Sequence, residues 1–291
     1  MNITTIGVLG AGQMGAGIAE VCAAAGYRTL VADRDIERVE TAKAAIAMRH
    51  ARAIDKGKLT SEESVATLAR IEAVAGPADF APCELVIEAA TENEALKREI
   101  IAQIGAALGE EAIIATNTSS ISITRLAQAA PDPSRFVGVH FFNPVPVMGL
   151  VELIRGMATA PEVLSAMEGF AQKLGKAVVH ASDAPGFIVN RVLMPMINEA
   201  ATALGEGVAS IADIDTACRL GLNHPMGPLT LADFIGLDTC LAIIRVLQEG
   251  TGDPRFRPAA QLIRRVDAGW LGKKSGRGFY DWTGAEPVAV G

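Results

Sequence analysis

The stretch that decides the fold is ITTIGVLGAGQMGAGIAEVCAAAGYRTLVAD, residues 3–33. It opens on a short β-branched apolar run that stops at a glycine, which predicts a strand. GIAEVCAAAG then places apolar residues at helical spacing and closes at Gly26, and RTLVAD returns as a second buried strand. The turn between the first strand and the helix is Gly10-Ala11-Gly12-Gln13-Met14-Gly15, a G-x-G-x-x-G run. Alone that string is a weak signal, but a strand before it and a helix after it give it a meaning. Gly10 permits the tight turn, Gly12 lets a pyrophosphate reach the backbone, and Gly15 allows close packing of helix on strand. The helix N-terminus attracts the phosphate charge. Asp33 ends the second strand at about the 20-residue spacing expected of a carboxylate that binds a ribose diol. Such a carboxylate repels a 2′-phosphate, so the expected cofactor is NAD rather than NADP, with the neighbouring Arg34 a counterweight. Capping of the following helix is a second role open to Asp33, compatible with the first.

Outward from this stretch the alternation continues. Residues 36–56 predict a long helix ending in the basic RHARAIDKGK, and RIEAV, ELVIEAA, AIIATNT and RFVGVHF recur as apolar strands separated by helical segments such as 93–108. Alternating β and α with apolar strands implies a doubly wound, mostly parallel Rossmann-type sheet covered on both faces. After about Ser182 the pattern changes. DAPGFIVNRVLMPMINEAATALGEG starts with Pro185 near a helix start and carries a kink signal at Pro195, and 210–220, 228–249 and 258–268 also read as helices. The expected division is an NAD-binding Rossmann-like domain over residues 1–183 and an all-α domain over 184–291.

Composition agrees with this plan. A chain of 291 residues suggests two domains at about 150 residues each. A net charge of −7 argues against nucleic acid or an anionic membrane as the main partner. Cys22, Cys83, Cys218 and Cys240 show no CxxC or Cys/His ligand spacing, so neither a disulfide framework nor a metal site is expected, and a reducing cytoplasm is the expected home. The N-terminus enters a strand without a basic, apolar leader, and no segment reaches the ~18 apolar residues of a membrane span.

VGVHFFNPVPVMGLVELI, residues 137–154, places one histidine, His140, and one acid, Glu152, in a run otherwise apolar, amide or proline. His140 falls at a strand end on the carboxyl side of the sheet, where ligands of doubly wound folds bind. The short NPVPVMG turn brings Glu152 back beside it. A buried glutamate is costly unless paired, and a neighbouring carboxylate raises an imidazole's basicity and fixes its tautomer, as a general base requires. A structural ion pair is the alternative. With a nicotinamide nearby the matching chemistry is alcohol oxidation. Asn117 and Ser119 in ATNTSSIS and Asn190 in GFIVNR offer polar groups for the substrate oxygen, although Ser119 also suits a helix cap and Asn190 a solvent-facing helix position.

GAGQMGAGIA, ATNTSS, HFFNPVPVMGLVE, DAPGFIVNR, NHPMGPLTLADFIGLD and GKKSGRGFY together resemble the L-3-hydroxyacyl-CoA dehydrogenases, in the order of that family and over nearly the whole chain. The resemblance implies His140 as base, Glu152 as its partner, and Ser119 and Asn190 on the substrate's oxygens. It implies NAD contacts from Gly10, Gly12, Gln13, Met14, Gly15, Asp33, Glu92, Lys97, Asn117, Ser119, Asn143 and Lys274. It also implies an acyl-CoA substrate, its phosphates on basic residues of the second helix, and a homodimer formed through the helical domain. Arg52 and Lys56, four apart and so on one helical face, are the candidates for the phosphates, in a segment that offers several cations. Related readings are a dehydrogenase of a non-CoA 3-hydroxy acid, of the gulonate or carnitine type, and a non-catalytic NAD(H)-binding protein.

Overall fold

The computed structural model describes residues 3–290, and the chain separates into two units, Met1–Ala184 and Pro185–Gly291. In the first, the apolar runs become β1 (Thr5–Leu9), β2 (Arg28–Ala32), β3 (Ile71–Ala73), β4 (Leu85–Glu88), β5 (Ile113–Thr116), β6 (Phe136–Phe141), β7 (Leu150–Arg155) and β8 (Ala177–Ser182). Helices α1 (Gln13–Ala24), α2 (Ile36–Asp55), α3 (Ser61–Ala69), α4 (Glu94–Ala107), α5 (Ile123–Ala127) and α6 (Pro161–Lys173) connect them. The sheet order is β3-β2-β1-β4-β5-β6-β7-β8. Every pairing is parallel except β6 with β7, which run antiparallel with His140 opposite Glu152. Ile6, Val8, Val31, Leu85, Ile87, Ile113, Val137, Val139 and Leu153 are buried in its core. Chain order reverses at β1, so the carboxyl ends of β1 and β4 flank the crevice where ligands of such sheets bind.

The second unit is helical, with α7 (Val189–Gly205), α8 (Ile211–Gly221), α9 (Pro228–Ile235), α10 (Leu237–Thr251) and α11 (Ala260–Asp267), followed by a two-residue ribbon of β9 (Tyr280–Asp281) and β10 (Val288–Ala289). Met194, Ile197, Leu237, Leu241, Ile244, Leu262 and Phe279 form its core. The single helix expected over 228–249 is two. Gly236 adopts φ 103°, and the Leu237 N–H leaves the helical ladder for the Leu271 carbonyl, which separates α9 from α10. Asp233, 1% exposed, then accepts hydrogen bonds from the backbone N–H groups of Phe279 and Tyr280 and from the Trp282 indole, which docks the tail on α9.

Candidate active site

The glycine turn has the form a dinucleotide needs. Gly10 sits at φ 109°, and a Cβ on it would come within 2.6 Å of the Ala89 carbonyl oxygen at the end of β4. A Cβ on Gly15 would stand 1.8 Å from the Gly10 carbonyl oxygen, whereas one on Gly12 would meet nothing within 4 Å. Two glycines are therefore required by the chain itself, and the third leaves open space at the start of α1. Gly12 caps that helix without a side chain, and no acid stands in the first turn, so the first N–H groups are left to an anion. Asp33 accepts hydrogen bonds from the backbone N–H groups of Ala11 (2.7 Å) and Arg34 (2.8 Å) and from the Arg38 guanidinium (2.8 Å). A carboxylate has about four acceptor sites, so it holds the loop and still has capacity for a ribose hydroxyl. These residues fit NAD. Gly15→Ala is expected to displace the turn and to weaken NADH binding about tenfold or more, a cost of roughly 1.4 kcal/mol, read by fluorescence titration.

Next to this loop, a cavity of about 1230 Å³ runs between α1, α2 and the 143–147 turn. Gln13 and Asn143 line it, as do the cations Arg38, Arg49 and Lys58. Arg52 on α2 and Lys56 just past its end are exposed and lie outside that lining.

At the end of β6 the imidazole Nδ1 of His140 lies 2.6 Å from Glu152 Oε2, and both side chains are buried, at 8% and 0% exposed. The pairing is a product of register. Directly opposite residues of an antiparallel pair share one face of the sheet, so the carboxylate meets the ring without a long reach. The Phe142 ring packs against the imidazole with centroids 4.5 Å apart. Asn117, at the end of β5, accepts from the Phe141 N–H (2.9 Å), which ties the neighbouring strand end to the residue after the histidine.

Ser119 meets Glu92. The Glu92 Oε1 accepts from the Ser119 N–H (2.6 Å), the Ser119 hydroxyl (2.8 Å) and the Thr118 hydroxyl (3.0 Å). Below them Lys97 is wholly enclosed. Its ammonium donates to Glu88 Oε2 at 2.5 Å and to the Thr116 hydroxyl, and lies 3.7 Å from Glu92. Glu88 also accepts from the Ala90 N–H and the Thr116 hydroxyl. Glu88, Thr116 and Thr118 escape the sequence reading, yet ELVIEAA holds an acid in an apolar strand just as LVELI does, and the same argument singles it out. Of the remaining expected residues, Asn190 is buried in the first turn of α7 and Lys274 pairs with Asp238, both in the second unit.

Residues 5–184 match the family described as 3-hydroxyacyl-CoA dehydrogenase, NAD binding domain, and residues 186–282 match 3-hydroxyacyl-CoA dehydrogenase, C-terminal domain. The chain is 53% identical over 286 residues to a 3-hydroxybutyryl-CoA dehydrogenase of Bradyrhizobium diazoefficiens, covering 98% of each. It is 42% identical to a 3-hydroxyadipyl-CoA dehydrogenase of Escherichia coli, covering 100% of this chain and 62% of that one. Among solved structures, the (S)-3-hydroxybutyryl-CoA dehydrogenase of Ralstonia eutropha superposes with a TM-score of 0.95 at 49% identity, over 97% of this chain and 100% of the other.

Proposed function

The chain belongs to the 3-hydroxyacyl-CoA dehydrogenase family, and from that premise we propose that it interconverts an L-3-hydroxyacyl-CoA of short chain, 3-hydroxybutyryl-CoA foremost, and the 3-ketoacyl-CoA. The observation that carries the mechanism is the buried His140–Glu152 pair at a strand end. Bound NAD supplies the hydride acceptor in the oxidative direction. His140, with Nδ1 engaged by Glu152, takes the hydroxyl proton at Nε2 and returns it to the ketone oxygen in reduction. Glu152 fixes the ring's orientation and stabilises it once it is charged. The Asn190 amide and the Ser119 hydroxyl donate to the substrate oxygens, the hydroxyl turning for this from Glu92 Oε1, which keeps the serine's backbone N–H. The glycine turn and Asp33 hold the dinucleotide, and Asn117, Asn143 and Lys274 complete its contacts. Because Lys97 is 0% exposed, its part in NAD binding is to position Glu92 and the ends of β4 and β5.

Arg52 and Lys56 are proposed to hold the coenzyme A phosphates. The exposed apolar side chains Val192, Val208, Leu220 and Leu222 of the second unit support a homodimer formed there. Four unbridged cysteines, three of them buried, support a reducing compartment, the cytoplasm.

The test follows NADH consumption with acetoacetyl-CoA, longer 3-ketoacyl-CoA thioesters, and free acetoacetate. Rapid turnover of the C4 thioester and none of the free acid is the expected pattern. Turnover of the free acid alone would assign the chain to a non-CoA substrate, and no turnover of either would leave a binding protein.

A further inference from the structure

Beyond Ile46, the buried side chain of α2 is a polar one, His50. Of its twenty residues only Val39, Ile46 and His50 are buried, and the buried residues of α3 are Ser64 and Thr67. His50 is therefore the last anchor of α2 before the turn that carries Arg52 and Lys56. It is clamped from two sides. Its Nε2 lies 3.3 Å from Glu20 Oε1 on α1, and its Nδ1 lies 3.0 Å from the Ser64 hydroxyl on α3. The second carboxylate oxygen of Glu20 pairs with the Arg49 guanidinium, so α2 grips one acid with two adjacent residues. Glu20 and His50 side chains are 10% and 8% exposed, and both line the cavity between α1 and α2.

Leucines at these positions would fasten three helices more cheaply, because burying an acid and an imidazole costs free energy that their pairing only partly returns. What a directional network adds is position. An apolar contact tolerates sliding, whereas a carboxylate that meets the guanidinium through one oxygen and the imidazole through the other, with that imidazole hydrogen-bonded to Ser64 at Nδ1, defines one register of α1, α2 and α3.

We propose that Glu20, His50 and Ser64 are positioning residues for the acyl-CoA. They fix the end of α2 so that Arg52 and Lys56 stand where the nucleotide end of coenzyme A is held. The proposal rests on the reading of those two cations as the phosphate ligands. It predicts a defect confined to the nucleotide end of the substrate, because the thioester end reacts at His140 on β6, whereas these residues stand on α1, α2 and α3.

The test compares acetoacetyl-CoA with acetoacetyl-pantetheine, which has the same reacting end and no nucleotide, in the wild type, Glu20→Gln and the milder Ser64→Ala. The wild type is expected to show a lower KM for the CoA thioester. Glu20→Gln should raise that KM about tenfold and Ser64→Ala about threefold, with kcat, the KM for NADH and all constants for the pantetheine thioester within about twofold of wild type. Calorimetric titration of free CoA should show the same weakening without turnover. Equal losses on both thioesters, or no loss on either in a wild type that prefers CoA, overturn the positioning role alone. A wild type with one KM for both thioesters removes the phosphate reading, and the proposal with it.

Discussion

Replacing His140 with glutamine is expected to lower kcat by about 10²–10⁴-fold, the usual worth of a positioned proton acceptor, while NADH affinity stays within about twofold of wild type. Glutamine is chosen because the partner acid is 0% exposed. An alanine would leave Glu152 charged and buried without its imidazole, and the resulting disorder would hide the chemistry. The glutamine amide donates a hydrogen bond to the carboxylate but accepts no proton, so the change removes the base alone. The glycine turn and Asp33, the main contacts proposed for NADH, stand at the ends of β1 and β2, with β4 and β5 between them and β6. Steady-state rates on acetoacetyl-CoA and a fluorescence titration with NADH together decide the matter. A near-native kcat would remove the histidine from the mechanism, and loss of NADH binding with the rate would make it a structural residue.

Replacing Lys97 with methionine is the second large effect, and it falls on stability. The ammonium is fully enclosed and faces an equally enclosed carboxylate, Glu88, at 2.5 Å. Methionine matches the aliphatic stem but leaves Glu88 with a charge that only the Thr116 hydroxyl and the Ala90 N–H answer. Removing one partner of such a pair costs about 3–5 kcal/mol, far more than the pair itself is worth. For a unit of this size, melting should fall by roughly 2–4 °C for each kcal/mol. Neutralising the acid as well should restore much of the loss, because two well-packed neutral groups carry no desolvation debt. Thermal melts of Lys97→Met, Glu88→Gln and the double variant give the cycle. Single and double variants melting together would mean that the pair is not coupled.

The parts of this molecule that were legible in the sequence are those in which one residue type has one physical use. A glycine whose Cβ would strike a carbonyl, an apolar run between turns, and a histidine and an acid that sit alone among hydrocarbons each announce themselves. Where several forces act on one residue the reading blurs. Helix α3 buries Ser64 and Thr67 and so shows no apolar stripe, and β8 is an edge strand with only Ala181 buried, so neither stands out. His50 lies inside a basic stretch that reads as solvated helix surface, and its partners come from two other helices. Gly236 sits within a continuous helical pattern, and only the competing carbonyl of Leu271 shows why the helix ends there. Lys97 reads as a ligand because lysines are seldom enclosed, and its enclosure depends on Glu88, nine residues before it.

The reversal of chain direction between β6 and β7 has a consequence for how this site tolerates change. Acid and base face each other across a hairpin and not across a crossover, so extra residues accommodated in the 144–148 bend leave them facing. One residue slipped into the strand itself, between the bend and position 152, rotates the carboxylate to the opposite side of the sheet. The bend is thus free to diverge in length among descendants of this chain, while the few residues beside it must keep their count.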